Sequence, residues 1–237
     1  MSTAPEPRPP LSRERIVRAA LAIVDEQGAD ALSMRRLGAM LGVEAMSLYK
    51  HVEGKDAILD GIRALLIEDF AARLPAGALD DWRADLAAFA RAYRAVGREH
   101  PRAFPLLAQG PGRAYVVGAR VAEETIARLR AAGLDRESAI FAQRTIVRFV
   151  LGAGLIDGAA GAAPAPVGDE DLAALERERP LVGALMRSMD DPATDDALFE
   201  FGLEMLLVGI AARLGTRAPA RVTPGTPGSG STGGSPG

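Results

Sequence analysis

Apolar residues recur at three- and four-residue spacing along most of the chain, the period of a helix with one buried stripe. Ile16, Ala19, Ala20, Ile23 and Val24 form the first stripe. Ser12 opens it as an N-cap, and Gly28, in Glu-Gln-Gly, closes it. Leu37 and Leu41 mark a short second helix capped by Ser33 and broken at Gly42. Leu48 and Val52 mark a third, ending at Gly54. A longer helix opens at Lys55-Asp56, carries Ile58, Leu59, Ile62, Leu65, Leu66 and Phe70, and breaks at Pro75-Ala76-Gly77. Further on, the pattern predicts helices from Asp80 to about Gly97, a short one to about Gln109, then 115–132, 135–157, one or two within 169–188 interrupted at Pro180, and 194–214. The expectation is an all-α protein with a small N-terminal helical domain over 12–55 and a larger helical domain over 56–214. A Pro-rich arm (1–11) reads as disordered and an Ala/Gly/Pro-rich stretch (158–168) as a flexible loop, while a Gly/Pro/Ser/Thr tail (215–237) holds too few apolar residues to offset the entropy of ordering and reads as disordered.

Composition agrees. Of 237 residues, 48 % are hydrophobic but only 5 % aromatic, and Ala and Leu dominate, which favours helix over sheet. There is no Cys, which excludes disulfides, thiolate catalysis and zinc–thiolate sites. The first ten residues lack the apolar core of a signal peptide. No segment is expected to reach the apolar length of a membrane span. A soluble cytoplasmic protein follows. Catalytic apparatus is hard to find. Ser47-Leu48-Tyr49-Lys50 fits S-x-x-K, but its S-D-N and K-T-G companions are missing. Gly152-Ala153-Gly154 lacks both the third glycine and the preceding strand of a dinucleotide loop. With two His and no recognisable carboxylate pair, neither an enzyme nor a cofactor is expected.

Residues 33–55 say most about chemistry. Two short helices separated by Gly42 and followed at once by another are the layout of a helix-turn-helix DNA reader. On the third helix side chains turn by about 100° per residue. With Leu48 inward, Val52 and Ala45 also lean inward, while Met46 and Lys50 point out, flanked by Ser47 and Tyr49. Such a face carries apolar groups for thymine methyls and hydrogen-bonding groups for base edges. An ordinary solvated face is the alternative, and Met46 and Tyr49 are oddly apolar for it. Arg35 is placed to reach a guanine edge or a phosphate. Tyr49 and His51 carry donors suited to phosphate oxygens. Lys55, at a helix N-terminus, makes a phosphate clamp with the helix end. A slightly basic N-terminal segment on an acidic remainder fits DNA contact confined to one end.

The run from Leu11 to about Ile62 resembles the DNA-binding domain of the tetracycline-repressor (TetR) family. The residues that carry this are Arg15-Ile16-Val17-Arg18-Ala19-Ala20-Leu21, Glu26-Gln27-Gly28, Leu32-Ser33-Met34-Arg35-Arg36-Leu37, Leu41-Gly42-Val43, Ser47-Leu48-Tyr49-Lys50-His51-Val52 and Lys55-Asp56. The Trp82 region and Phe149-Val150-Leu151-Gly152-Ala153 resemble the tetracycline-responsive branch. The resemblance implies a homodimeric regulator, usually a repressor, released from a palindromic operator by a small molecule bound in the C-terminal domain. Where members reading the tetracycline operator are polar, this chain has Ala45-Met46. Where the branch chelates a metal, it has Leu106 and Ile156, which cannot ligate magnesium.

Under that resemblance the dimer seam falls on helices 136–157 and 194–214, with Ile146, Val150, Phe201, Met205 and Leu206 at its centre, and Gly152, Gly202 and Gly209 allowing close approach. The effector cavity falls within 65–155, with Phe89, Tyr93, Phe104, Leu107, Tyr115 and Phe149 as its walls and an apolar ligand as its guest. A helical carrier or an activator-type regulator is the alternative function.

Overall fold

The structure is a computed structural model that describes residues 10–75, 81–109, 112–159, 168–189 and 192–215. Among these, every regular element is helical: α1 (Arg13–Gln27), α2 (Met34–Leu41), α3 (Ala45–Leu48), α4 (Lys55–Ala72), α5 (Trp82–Glu99), α6 (Gly112–Ala131), α7 (Arg136–Ala159), α8 (Asp169–Glu178), α9 (Pro180–Met189) and α10 (Pro192–Gly215), with 3-10 turns at Ala29–Ala31 and Phe104–Gln109. Residues 1–9 of the arm, the tail from residue 216 and residues 160–167 of the expected loop lie outside the described residues.

The helix starts follow from capping chemistry. Ser12 Oγ accepts the Arg15 N–H at 3.2 Å, and Ser33 Oγ accepts the Arg36 N–H at 3.2 Å. Asp81 does the same for α5 through the Arg83 N–H. Ile16, Ala20, Ile23 and Val24 of α1 are buried, and they meet Leu37 and Leu41 of α2, Leu48, Val52 and the first turns of α4 in a continuous core. Helices α1 and α4 approach closely at Gly61, where a Cβ would stand 2.6 Å from Val17 Cγ2. The small N-terminal domain is thus seated on the helix that leads into the body.

The body is a bundle. α4 carries Leu66 and Phe70 against Phe89, Tyr93 and Val96 of α5. Rings pack edge-on or tilted in a row through its centre: Phe70 lies 4.9 Å from Phe89 and 5.0 Å from Tyr93, and Tyr93 lies 5.5 Å from Phe104. Burial pushes the Tyr93 phenol far above its ordinary range, so it stays neutral. Residues 136–158 are long and apolar enough to cross a bilayer, against the expectation from sequence. In the fold this stretch is a bundle helix, with Ile146 and Val150 fully buried against α10 residues such as Phe199 and Leu203. α10 runs one residue past its expected end, through Gly215, the first residue of the expected tail.

Candidate nucleic-acid interface

The turn between α2 and α3 is built from two glycines. Gly42 takes a left-handed conformation (φ 70°, ψ 35°). Its N–H donates to Ala39 O at 3.2 Å, and the Val43 N–H donates to Gly38 O at 2.9 Å. That reciprocal pair satisfies carbonyls the helix end would leave open. Gly38 is buried, and a Cβ there would lie 2.8 Å from Val43 O and 3.2 Å from Ala45 N. The absence of a side chain lets α3 cross close over α2. Gly38 drew no notice in the sequence, because a glycine inside a helical pattern looks like a tolerated exception.

The third helix is shorter than its apolar spacing predicts. α3 covers Ala45–Leu48, and residues 49–51 continue as turns, with the His51 and Val52 N–H groups donating to Leu48 O at 2.9 and 3.1 Å. No side chain caps its start at Glu44. The helical sense persists, so the faces fall as expected. Leu48 is 0 % exposed and Val52 is buried, while Met46 is 72 % exposed and Tyr49 49 %. Lys50, His51 and Arg35 are exposed; Ala45, Ser47 and Lys55 are half-buried. Lys55 is the first residue of α4, whose N-cap, Gly54 (φ 134°), supplies no side-chain acceptor. The first N–H groups of α4 therefore lack a side-chain cap, beside a lysine. All eight residues singled out in the sequence fall between the start of α2 and the first residue of α4.

The residues expected around an effector are less of a set. Phe89 lines a small cavity of about 40 Å³ with Leu74, Trp82, Leu86, Val121 and Arg128. Tyr93 and Phe104 are buried in the ring stack. Gly97 and Gly154 flank Phe104, with built Cβ positions 3.3 and 2.3 Å from the ring. Leu107 is half-buried on the 3-10 turn. Phe149 stacks on Phe199 at 5.2 Å, over Gly202. The Tyr115 side chain lies outside the described positions. Among the described residues no trio of His, Asp or Glu is gathered for a metal.

On the expected seam, Ile146 and Val150 are fully buried inside the subunit. Their apolar spacing served the bundle's own core. Phe201 is 60 % exposed and Met205 47 %, while Leu206 is half-buried beside them. Gly202 likewise serves the subunit, making room for Phe149.

One feature escaped the sequence altogether. The segment after α5 grips the end of α1. His100 Nδ1 lies 2.8 Å from Asp25 Oδ2, and Arg102 Nη1 donates to the carbonyls of Asp25 and Glu26 at 3.0 and 2.6 Å. From α4, Arg63 Nε donates to Leu106 O at 3.0 Å. Residues 100–109 therefore touch α1 and α4 and, through Phe104, the ring stack. His100-Pro101 is visible in the sequence only as a helix breaker.

An exposed reading face on a turn-linked helix pair, mounted on a helical body, defines a helix-turn-helix DNA-binding regulator. Comparison with known proteins agrees. Residues 16–62 match the family described as bacterial regulatory proteins, tetR family, and residues 74–214 match the tetracyclin repressor-like C-terminal domain. The chain is 34 % identical, over 86 % of its length and 92 % of the relative's, to the tetracycline repressor protein class A from transposon 1721 of Escherichia coli. It is 32 % identical to the HTH-type transcriptional repressor DrrR1 of Streptomyces coeruleorubidus, over 90 % of this chain and 83 % of that one. Its fold matches the TetR family protein ActR of Streptomyces coelicolor in complex with actinorhodin, with a TM-score of 0.69 and 28 % identity over 88 % of this chain and all of the other. The chain belongs to the TetR family of transcriptional regulators.

Proposed function

We propose that this regulator is a homodimeric repressor that reads a palindromic operator through Ala45, Met46, Ser47 and Lys50. Arg35, Tyr49, His51 and Lys55 hold the sugar-phosphate backbone. The observation that carries this is the 72 % exposure of Met46 beside exposed Tyr49 and Lys50, on a helix whose opposite side is sealed by Leu48. Apolar surface kept in water suits a thymine methyl or a sugar better than bulk solvent. A reading helix spans only a few base pairs, so two copies are needed for a discriminating site. The seam is assigned to the exposed side of α7 and α10, with Phe201, Met205 and Leu206 on it.

The effector is a small apolar molecule, taken up between α4, α5 and α6 near Trp82 and Phe89. ActR, bound to actinorhodin, shares this fold, and an aromatic polyketide-like guest suits the same ring-lined interior. A cavity of about 40 Å³ is far below the ~300 Å³ that such guests occupy, so binding must open the ring stack. Opening it displaces Phe104, and with it the segment that holds α1 and α4. α4 then moves as a lever and changes the separation of the two reading helices, provided the guest prefers the opened state. No catalytic role is assigned, and the protein acts in the cytoplasm, where its operator is.

Selection of bound fragments from random duplex tests the reading. A palindrome should emerge, and affinity should fall steeply with added salt. Lys55→Ala should weaken all sequences alike and lower the salt slope by about one, whereas Lys50→Ala should also relax the preferred base. Wild-type binding by both variants would remove these residues from the interface. An unchanged operator complex across a panel of aromatic polyketides would overturn the effector class.

A further inference from the structure

Where α1 of the DNA-binding domain meets α4 and the end of α5 there is an open groove of about 590 Å³. Leu21 and Ala22 of α1 and Leu65, Leu66 and Ala72 of α4 supply its apolar lining. The cavity near Trp82 and Phe89 measures about 40 Å³ and must rearrange to take a guest. The groove already has the size of a small-molecule site. Neither the operator interface nor the core effector site uses it.

Its polar lining is one-sided. Asp25, Glu68, Asp69 and Glu99 line it, against Arg18 and His100. Arg18 is already paired with Glu14, and Arg73, from outside the lining, holds Asp69 and Glu99. Arg102 is engaged by the carbonyls of Asp25 and Glu26. Counting all of these, five carboxylates stand against three guanidinium groups, and a protonated His100 would not close the gap. Glu68 makes no ion pair among the described residues. Asp25 adds an open acceptor: its Oδ1 is buried with no hydrogen-bond donor among the described residues. A buried acceptor without a donor costs free energy that a bound N–H group would recover.

These features select the occupant. An anion would be repelled, and a neutral apolar molecule would leave Glu68 and Asp25 unanswered. A bare metal ion is not accommodated, since no trio of His, Asp or Glu is gathered for one among the described residues. A polyamine would leave the apolar walls in water. We infer that the groove is a second small-molecule site, which takes a protonated amine carried on a compact apolar body. The body lies against Leu21, Leu65 and Ala72, and the ammonium group faces Glu68 and Asp25. Because α1 forms one wall and α4 and α5 form the others, a guest here braces α1 against the rest of the subunit. It acts on the DNA-binding domain without entering the ring-lined core, and it stands or falls independently of the core effector.

The bridgehead amine, alcohol and carboxylate of adamantane test this, since they share one apolar cage and differ in charge. Calorimetric titration of the whole chain should show the amine binding about tenfold more tightly than either of the others, and less tightly as salt is added. Glu68→Lys reverses an exposed charge, and Ala72→Phe fills the groove from an exposed position on α4. Circular dichroism checks that both variants fold. Each should weaken the amine about tenfold or more, and Glu68→Lys should turn the preference toward the carboxylate. With the amine at about ten times its dissociation constant, hydrogen exchange at the C-terminal end of α1 should slow about tenfold. Equal binding of the three probes, or an amine affinity unchanged in either variant, would overturn the site. Tight amine binding that leaves exchange at α1 unaltered would place the amine elsewhere and overturn it as well.

Discussion

At the residue scale, the reading face was legible in the sequence because exposure there follows from one anchor. Once Leu48 is inward, the helical period places Met46 and Lys50 outward, and the structure agrees. What permits the face was not legible. Gly38 is required by a contact with the backbone of the next helix, which no periodicity reports. Gly38→Ala sets two effects against each other. Alanine favours the helix by about 1 kcal/mol. A Cβ 2.8 Å from Val43 O forces the turn open, and such overpacking costs about 1–3 kcal/mol. The contact is with backbone, which has no rotamer to move to, so the clash prevails. The variant should melt at lower temperature and bind duplex less tightly, measured by thermal denaturation and operator titration. A variant as stable and as tight-binding as wild type would show that the turn has room to spare.

At the element scale, helix positions were legible where capping side chains fix them, as at Ser12 and Ser33. α3 was overestimated because Val52 sits at helical spacing while belonging to a turn. Segment 100–109 was read only as a breaker and a short helix, because its partners are remote: Asp25 lies 75 residues from His100. That grip carries a prediction. Arg102 donates two charge-assisted hydrogen bonds to the end of α1, where His100 also meets Asp25, and among the described residues one oxygen of Asp25 is buried without a partner. Arg102→Ala leaves the core untouched and frees the Asp25 and Glu26 carbonyls. Hydrogen exchange at the α1 C-terminus should quicken about tenfold, the equivalent of ~1.4 kcal/mol of local opening, with α5 and α7 unchanged. Unaltered exchange at α1 would mean that segment 100–109 does not restrain the DNA-binding domain, and the lever described above would lose its link.

At the scale of the whole molecule, apolar content and helical period made the bundle legible, and the resemblance supplied its two-domain plan. The division of α7 and α10 between buried and exposed positions was not legible, because Ile146, Val150, Phe201 and Met205 are equally apolar and only packing separates them. Nor did the sequence reveal the charged knot that fastens α10 to the body. Arg94 is buried at 6 % exposure, lies 4.3 Å over the Phe199 ring, and donates to Asp157 at 3.0 Å and to Asp196 at 2.9 Å. Arg98 also binds Asp196, and Arg91 binds Glu200 at 2.6 and 2.8 Å. The Arg98 hydrogen bond, chiefly, holds the Asp196 carboxyl below its ordinary value, and the Arg91 hydrogen bond does the same for Glu200. A carboxyl depressed in the folded state contributes stability that is complete above its unfolded value, about 3.9 for Asp and 4.3 for Glu, and that is lost as pH falls through the folded value. α10 should therefore loosen in acid. Asp196→Asn removes one of these charges in advance. It should melt below wild type at neutral pH, and the gap should shrink as the pH is taken below about 4, where wild type has lost the same interaction. Both residues are partly exposed, so added salt should narrow the neutral-pH gap as well. Parallel melting curves at every pH would mean that α10 is held by Phe199, Leu203 and their neighbours alone, with the charges contributing nothing to its seat.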